Sequence, residues 1–218
     1  MKILVIDVGG THVKATATGR RARVKFASGH RMTPRQMVAE LKAATTGWQY
    51  DVVSIGYPGP VLHDQPVREP HNLGGGWVGF NFQKAFGCPV KIINDAAMQA
   101  LGSYEGGQML FLGLGTGLGS ALVSHHGNVI PMELAHLPYK DGGSYEEYVG
   151  LAGLERLGKK KWRKHVENVV VLLRAALLAE YVVLGGGNAR LIQKLPPHTQ
   201  LGDNANAFRG GFRLWKKP

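Results

Sequence analysis

Cysteine is all but absent: Cys88 is the only one among 218 residues. That excludes an intrachain disulfide and any cysteine-rich zinc site. Acids are also scarce, 15 against 26 lysines and arginines, which leaves a formal charge of +11. Such an imbalance favours polyanionic partners, whether nucleic acid, polyphosphate or nucleotide, without choosing among them. Long apolar runs are missing too. The longest, 166–184, is interrupted by Glu167, Asn168, Arg174 and Glu180, too often to span a bilayer. Met1-Lys2 leads straight into an apolar stretch, with no secretory pattern, so the expectation is a cytoplasmic protein without a membrane partner. Two phosphate fingerprints are lacking as well. There is no G-x-x-x-x-G-K-[ST], and "GLGTGLG" (113–119) does not satisfy G-x-G-x-x-G.

Glycine is abundant, at 31 residues, and clustered at 74–76, 113–119 and 185–187. Clusters of this kind suit loops where backbone approaches a ligand closely, although simple turn-making produces them too. Around them the sequence alternates strands and helices. "KILVID" (2–7) is a continuous apolar run, hence a buried strand, and "VKATATG" (13–19) and "RVKFAS" (23–28) follow as strands. "TPRQMVAELKAAT" opens with Thr33, Pro34 and Gln36, a capping box with a proline start, and predicts a helix. Strands are expected at 51–57 and 89–95, a short helix at 80–87 and a helix over 96–106. "MLFLGLGTGLGSALV" (109–123) then repeats the opening pattern, with Gly9 falling on Gly115. A helix over 162–179 (Val166, Val169, Leu173 and Leu177 on one face), a strand at 181–187, a short helix at 189–195 and a last helix from about 204 complete the reading. The fold class is α/β, a duplicated β-β-β-α-β-α in two lobes. The first lobe is 1–106, completed by the C-terminal helix 205–218, and the second is 107–204.

Ligands in such folds sit beyond the carboxyl ends of the strands. Asp7-Gly9, Gly59, Asn94-Asp95, Gly115-Thr116 and Gly185-Gly187 all lie at such ends. Successive N–H groups in a glycine turn form an anion-binding concavity, and two such turns facing each other across a cleft would hold a polyphosphate chain. Asp7 either caps its turn or holds Mg²⁺, usually through water, beside phosphates. Asp95 either caps the helix after it or takes a proton from an acceptor hydroxyl. Glu133 and His136, three apart in "MELAHLPY", would share one face of a helical turn; they can hydrogen-bond sugar hydroxyls, and read as a metal fragment only weakly. The basic run "KKKWRKH" (159–165) reads first as a solvated helix face.

In order along the chain, "DVGGTHVK", "GYPGPV", "NLGGGW", "INDA", "LGLGTGLGSAL", "ELAH" and "VVLGGG" resemble the ROK sugar kinases, and within them the polyphosphate/ATP glucokinase branch. The resemblance implies the actin-like, ribonuclease-H-like ATPase fold and transfer of a phosphoryl group from polyphosphate or ATP to the 6-hydroxyl of glucose or a related hexose. It implies Mg²⁺ near Asp7, and Gly9, Gly10, Thr11 and Lys14 on the transferred phosphoryl group. Gly115, Thr116 and Gly117 would form the second phosphate loop, and Gly185 and Gly186 would approach a nucleotide base. Asn72, Asn94, Glu133, His136 and Glu146 would bind the sugar, with Asp95 as base. Where many family members carry a zinc-binding cysteine motif, this chain reads "LPYKDGGSYEEY", so no zinc is expected. The chain is also shorter than typical members, which leaves lid closure open. Homodimerisation is open by analogy. The rival readings are a non-catalytic sugar or nucleotide sensor and a nucleic-acid-binding protein. The second is disfavoured, because the basic run has no array of interleaved aromatics.

Overall fold

The computed structural model describes residues 1–203 and 205–216, so the expected C-terminal helix 205–218 runs in part outside the described residues. The chain divides into two compact units, one of Met1–Met98 with residues 207–216, the other of Gln99–Asn206.

The first unit begins with β1 (Ile3–Val8), β2 (His12–Ala17) and β3 (Val24–Ala27), then α1 (Pro34–Ala44) and β4 (Val52–Tyr57). A small hairpin, β5 (Val61–Leu62) and β6 (Gln65–Pro66), precedes α2 (Phe82–Phe86), β7 (Val90–Asn94) and the start of α3 (Asp95–Ser103), whose residues from Gln99 on belong to the second unit. Its sheet has the order β3-β2-β1-β4-β7. The first three strands pair antiparallel, while β4 and β7 extend the sheet in parallel. β1 is apolar throughout except Asp7, because a central strand is covered on both faces. One face packs Leu4, Ile6, Met37, Leu41, Tyr57 and Trp77. The α1 start is capped as its sequence demands: Thr33 accepts from the Gln36 N–H and the Gln36 side chain returns to the Thr33 N–H.

The second unit repeats the plan with β8 (Met109–Leu114), β9 (Leu118–Val123), β10 (Val129–Met132), α4 (Tyr145–Val149), α5 (Leu151–Ala176), β11 (Tyr181–Gly185) and β12 (Thr199–Leu201). Its order, β10-β9-β8-β11-β12, is that of the first sheet. Each glycine turn therefore joins the first and second strands of its unit. α5 is broken at Gly158 (φ 71°, ψ 159°). Beyond the break Trp162, Val166, Val169, Val170 and Leu173 are buried at helical spacing, while Lys159, Lys160, Lys161 and Lys164 are exposed. Trp162 also donates its indole N–H to the Val149 carbonyl at 2.9 Å. The basic run is thus a solvated helix face anchored by one tryptophan, whose truncation to alanine would cost about 3–5 kcal/mol.

The expected helix over 189–195 is not formed. Ala189–Leu191 makes a single 3-10 turn and Ile192 is already extended. Pro196 disfavours helical backbone at Leu195, and the Arg163 guanidinium takes the Leu191 carbonyl at 2.7 Å. The long helix starts at Leu151, ahead of the expected 162, because the 151–157 segment is joined to it across the Gly158 break. α4, β12 and the β5–β6 hairpin are too short to show a period in the sequence.

α6 (Asn206–Arg213) returns to the first unit, where Ala207 and Phe208 pack on Ile3, Val5 and Val52. Gly211 lies against Val5 with no room for a side chain. Fully buried Ser54 donates to the Gly211 carbonyl at 2.6 Å and accepts from the Trp215 indole at 2.9 Å. Ser54→Ala leaves both groups without a partner, so unfolding in urea should show a loss of about 1–3 kcal/mol; an unchanged midpoint would contradict this anchoring.

Candidate active site

In the first unit the sheet register places Asp7 beside Gly56, and Gly56 beside Ile93. Asp7 and the end of β7 are thus two strand spacings apart, about 10 Å, at the same carboxyl edge. A side chain at Gly56 would strike Met98, so glycine there lets α3 seat its first residue, Asp95, on that edge. Asn94, not Asp95, caps α3: its Oδ1 accepts from the Ala97 N–H at 3.1 Å, and its Nδ2 donates to the Gly59 carbonyl at 3.2 Å. Asp95 Oδ1 accepts from the adjoining Ala96 N–H at 2.7 Å. Asn72 lies directly on the first glycine turn, where a Cβ on Gly10 would stand 2.7 Å from the Asn72 Cβ.

Asp7 is 16% exposed, and its carboxylate lies 3.6 Å from the Lys14 ammonium, its cross-strand neighbour. Burial raises its carboxyl above the ordinary range, and the Lys14 charge works against that rise. A poorly solvated carboxylate at the mouth of a glycine turn suits Mg²⁺, a hard cation that usually takes one or two carboxylates and completes its shell with water and phosphate oxygens. Among the described residues no group of three or more His, Cys, Asp or Glu side chains is placed to hold a metal unaided.

In the second unit Gly185 pairs with Gly113, so the turn after β11 lies beside the Gly115–Gly117 turn. Asn188 joins them, its N–H donating to the Leu114 carbonyl at 2.9 Å and its Nδ2 to the Gly115 carbonyl at 3.1 Å. A Cβ on Gly186 would meet the Leu114 backbone. Glu146, from α4, lies against Gly117 and accepts from the Leu118 N–H at 3.3 Å. None of the turn glycines 9, 10, 115 and 117 adopts left-handed backbone. A Cβ on Gly10 would strike the Asn72 Cβ and one on Gly117 would meet the flexible end of Glu146, whereas among the described residues beyond its chain neighbours nothing lies within 4 Å of where a Cβ on Gly115 would stand. Glu133 precedes and His136 ends a 3-10 turn (Leu134–His136); both are exposed and approach to 3.7 Å. The segment after them is held by aromatics: Tyr139 bonds His165 at 3.1 Å, and the Tyr148 ring packs tilted against His165 with ring centroids 4.8 Å apart.

The family model described as ROK family matches residues 3–143. The chain belongs to the ROK family. A polyphosphate glucokinase of Mycobacterium tuberculosis is 29% identical to it over 215 residues, spanning 88% of this chain and 80% of that relative. Among solved structures, the inorganic polyphosphate/ATP-glucomannokinase of Arthrobacter sp. strain KM superposes with a TM-score of 0.79 at 24% identity, covering 96% of each chain. A ROK family glucokinase of Streptomyces griseus, in complex with glucose and AMPPNP, gives 0.76 at 17% identity over 98% of this chain and 99% of its own. The fold is the actin-like ATPase fold of these ROK structures, and the activity class is phosphotransferase.

Within this ROK protein's first unit, Asp7, Gly9, Gly10, Thr11, Lys14, Asn72, Asn94 and Asp95 gather at one sheet edge. In its second unit, Gly115–Gly117 gathers with Gly185, Gly186 and Glu146. Two residues absent from the sequence reading also touch the turns. One is Asn188; the other is Ser28, whose hydroxyl donates to the Gly9 carbonyl at 2.6 Å. No local pattern announces either, since each contact spans a long stretch of chain.

Because Asp7 keeps its proton more tightly when folded, its ionisation costs stability. The unfolded chain loses that proton first, so stability falls as pH rises through the ordinary value of 3.8 towards the raised folded value, and the penalty persists above it. Asp7→Asn should therefore melt at or above the parent's temperature at neutral pH, and the gap should close in acid below about 3.8. A clearly lower melting temperature at neutral pH would mean that the Lys14 pairing outweighs burial.

Proposed function

We propose that this ROK protein is a sugar kinase that moves a phosphoryl group from inorganic polyphosphate, or from ATP, to the 6-hydroxyl of glucose or a closely related hexose. The observation that carries the reading is Asp95: a carboxylate at the exit of β7, on the same sheet edge as Asp7, with Asn94 capping the helix in its place. The relatives support the substrate class, since those named above are a polyphosphate glucokinase, a polyphosphate/ATP-glucomannokinase and a glucokinase bound to glucose and AMPPNP. The charge of +11 favours the more anionic donor. The cytoplasm suits this reading, as the compartment in which Cys88 stays a thiol.

Phosphoryl transfer asks a protein for position and charge more than for covalent chemistry. Asp95 accepts the proton of the sugar 6-hydroxyl and aims its oxygen at the terminal phosphorus. Asn72 and Asn94 hold the sugar on the first unit's edge, and Glu133, His136 and Glu146 bind its other hydroxyls. The Gly9–Thr11 turn, with Lys14, takes the transferred phosphoryl group, and the Gly115–Gly117 turn takes the phosphates behind it. The open space at Gly115 supports that role, because the fold itself makes no use of glycine there. Gly185 and Gly186 approach the base when the donor is ATP. Mg²⁺ held near Asp7 supplies neutralisation of the donor's negative charge when bound.

Asp7 and Asp95 put two carboxylates at one edge of the first sheet, which supports catalysis over a sensor that only binds. The test is a screen of hexoses against ATP and polyphosphate with Mg²⁺. Glucose with polyphosphate should give the highest turnover, and inactivity with every pair would refute the proposal. Asp95→Asn should lower kcat by about 10²–10⁴-fold with the hexose KM little changed, whereas near-parental turnover would remove Asp95 as the base.

A further inference from the structure

The two glycine turns share a feature that the family assignment does not contain. In each, the carbonyl of the leading glycine accepts a hydrogen bond from a side chain outside the turn. Ser28 Oγ donates to the Gly9 carbonyl at 2.6 Å. Asn188 Nδ2 donates to the Gly115 carbonyl at 3.1 Å. Gly9 and Gly115 hold the same place in the repeated plan, one residue beyond the first strand of each unit. Ser28 follows the third strand of its unit; Asn188 follows the fourth strand of the other. Equivalent carbonyls are thus held from non-equivalent positions, so the duplication alone does not account for the match.

The consequence follows from peptide geometry. The C=O of one residue and the N–H of the next lie in one plane and point in opposite directions. Holding the Gly9 carbonyl towards Ser28 turns the Gly10 N–H away from Ser28. Holding the Gly115 carbonyl towards Asn188 does the same for the Thr116 N–H. Backbone bonds reinforce both: the Ser28 N–H donates to the Thr11 carbonyl at 2.9 Å, and the Leu151 N–H to the Thr116 carbonyl at 3.0 Å, which turns out the Gly117 N–H. Among the described residues nothing hydrogen-bonds to the N–H of Gly10, Thr116 or Gly117. Backbone donors so held can receive an anion with their ordering complete before it arrives, the Gly117 N–H once the flexible Glu146 carboxylate beside it gives way.

We propose that Ser28 and Asn188 are positioning residues that fix the two phosphate-binding turns, one in each unit, with their N–H groups presented to the donor. The proposal rests on the phosphate role given to these turns under Proposed function. Neither side chain touches the sugar or the reacting atoms in this account; each acts through one carbonyl.

The test compares Ser28→Ala, Ser28→Thr and Asn188→Ala with the parent, by steady-state kinetics, thermal melting and calorimetric titration with inorganic tripolyphosphate and Mg²⁺. Ser28→Ala and Asn188→Ala should each raise the donor KM and weaken tripolyphosphate binding by about ten- to hundred-fold, with the hexose KM within twofold. Ser28→Thr, which keeps the hydroxyl, should restore parental values. A purely structural role would instead lower the melting temperature and move both KM values together, and that outcome overturns the proposal. So does an unchanged tripolyphosphate affinity in both alanine variants, or a parent that binds no tripolyphosphate. If the parent binds tripolyphosphate but phosphorylates no sugar, the kinase reading fails while the calorimetry still decides the positioning role.

Discussion

A peptide unit presents its carbonyl and its N–H on opposite edges, so whatever grips the one aims the other. This constraint gives the glycine turns of this ROK protein their meaning. Glycine is not there for left-handed backbone, since residues 9, 10, 115 and 117 avoid it. Gly10 is bare because Asn72 lies on it, Gly117 faces the flexible end of Glu146, and Gly115 stands open. The turns are shaped from outside, by Ser28, Asn188 and the N–H of Leu151. A flexible glycine loop would lose conformational freedom on binding an anion, whereas a loop already held avoids much of that loss.

Electrostatics point the same way. Asp7 sits at 16% exposure with a single cation, Lys14, 3.6 Å away. Its raised carboxyl pKa reports that this partner does not offset the loss of water. On the proposed reading, a divalent cation joining Asp7 would relieve that cost, so part of the stability forgone would reappear as affinity for the metal-bound donor. Asn94 plays a complementary part. It caps α3 at the Ala97 N–H, while Asp95 Oδ1 takes the neighbouring Ala96 N–H.

Much of the fold was legible because its determinants are local or periodic. β1 and β8 are apolar on both faces, so each reads as a run ending at glycine, and the shared sheet order follows from the repeated pattern. The Thr33–Gln36 capping box reads off four residues. The failures were tertiary. "ARLIQKL" has helical composition, but Arg163, 28 residues away, takes the Leu191 carbonyl and the two prolines end the segment. β12 is three residues long and lies at a sheet edge, where no burial pattern forms. Ser28 lies 19 residues from Gly9, and Asn188 lies 73 from Gly115. Their contacts exist only once strands are paired. The candidate site was thus legible where residues sit at strand ends and illegible where side chains reach in from other elements.

The most direct measurement is a map of backbone amide chemical shifts by nuclear magnetic resonance as Mg²⁺ and tripolyphosphate are added. The account predicts that the amides of Gly10, Thr116 and Gly117 move most, and saturably. Shifts concentrated instead on the exposed lysines of α5, Lys159 to Lys164, with the glycine turns unmoved, would contradict it.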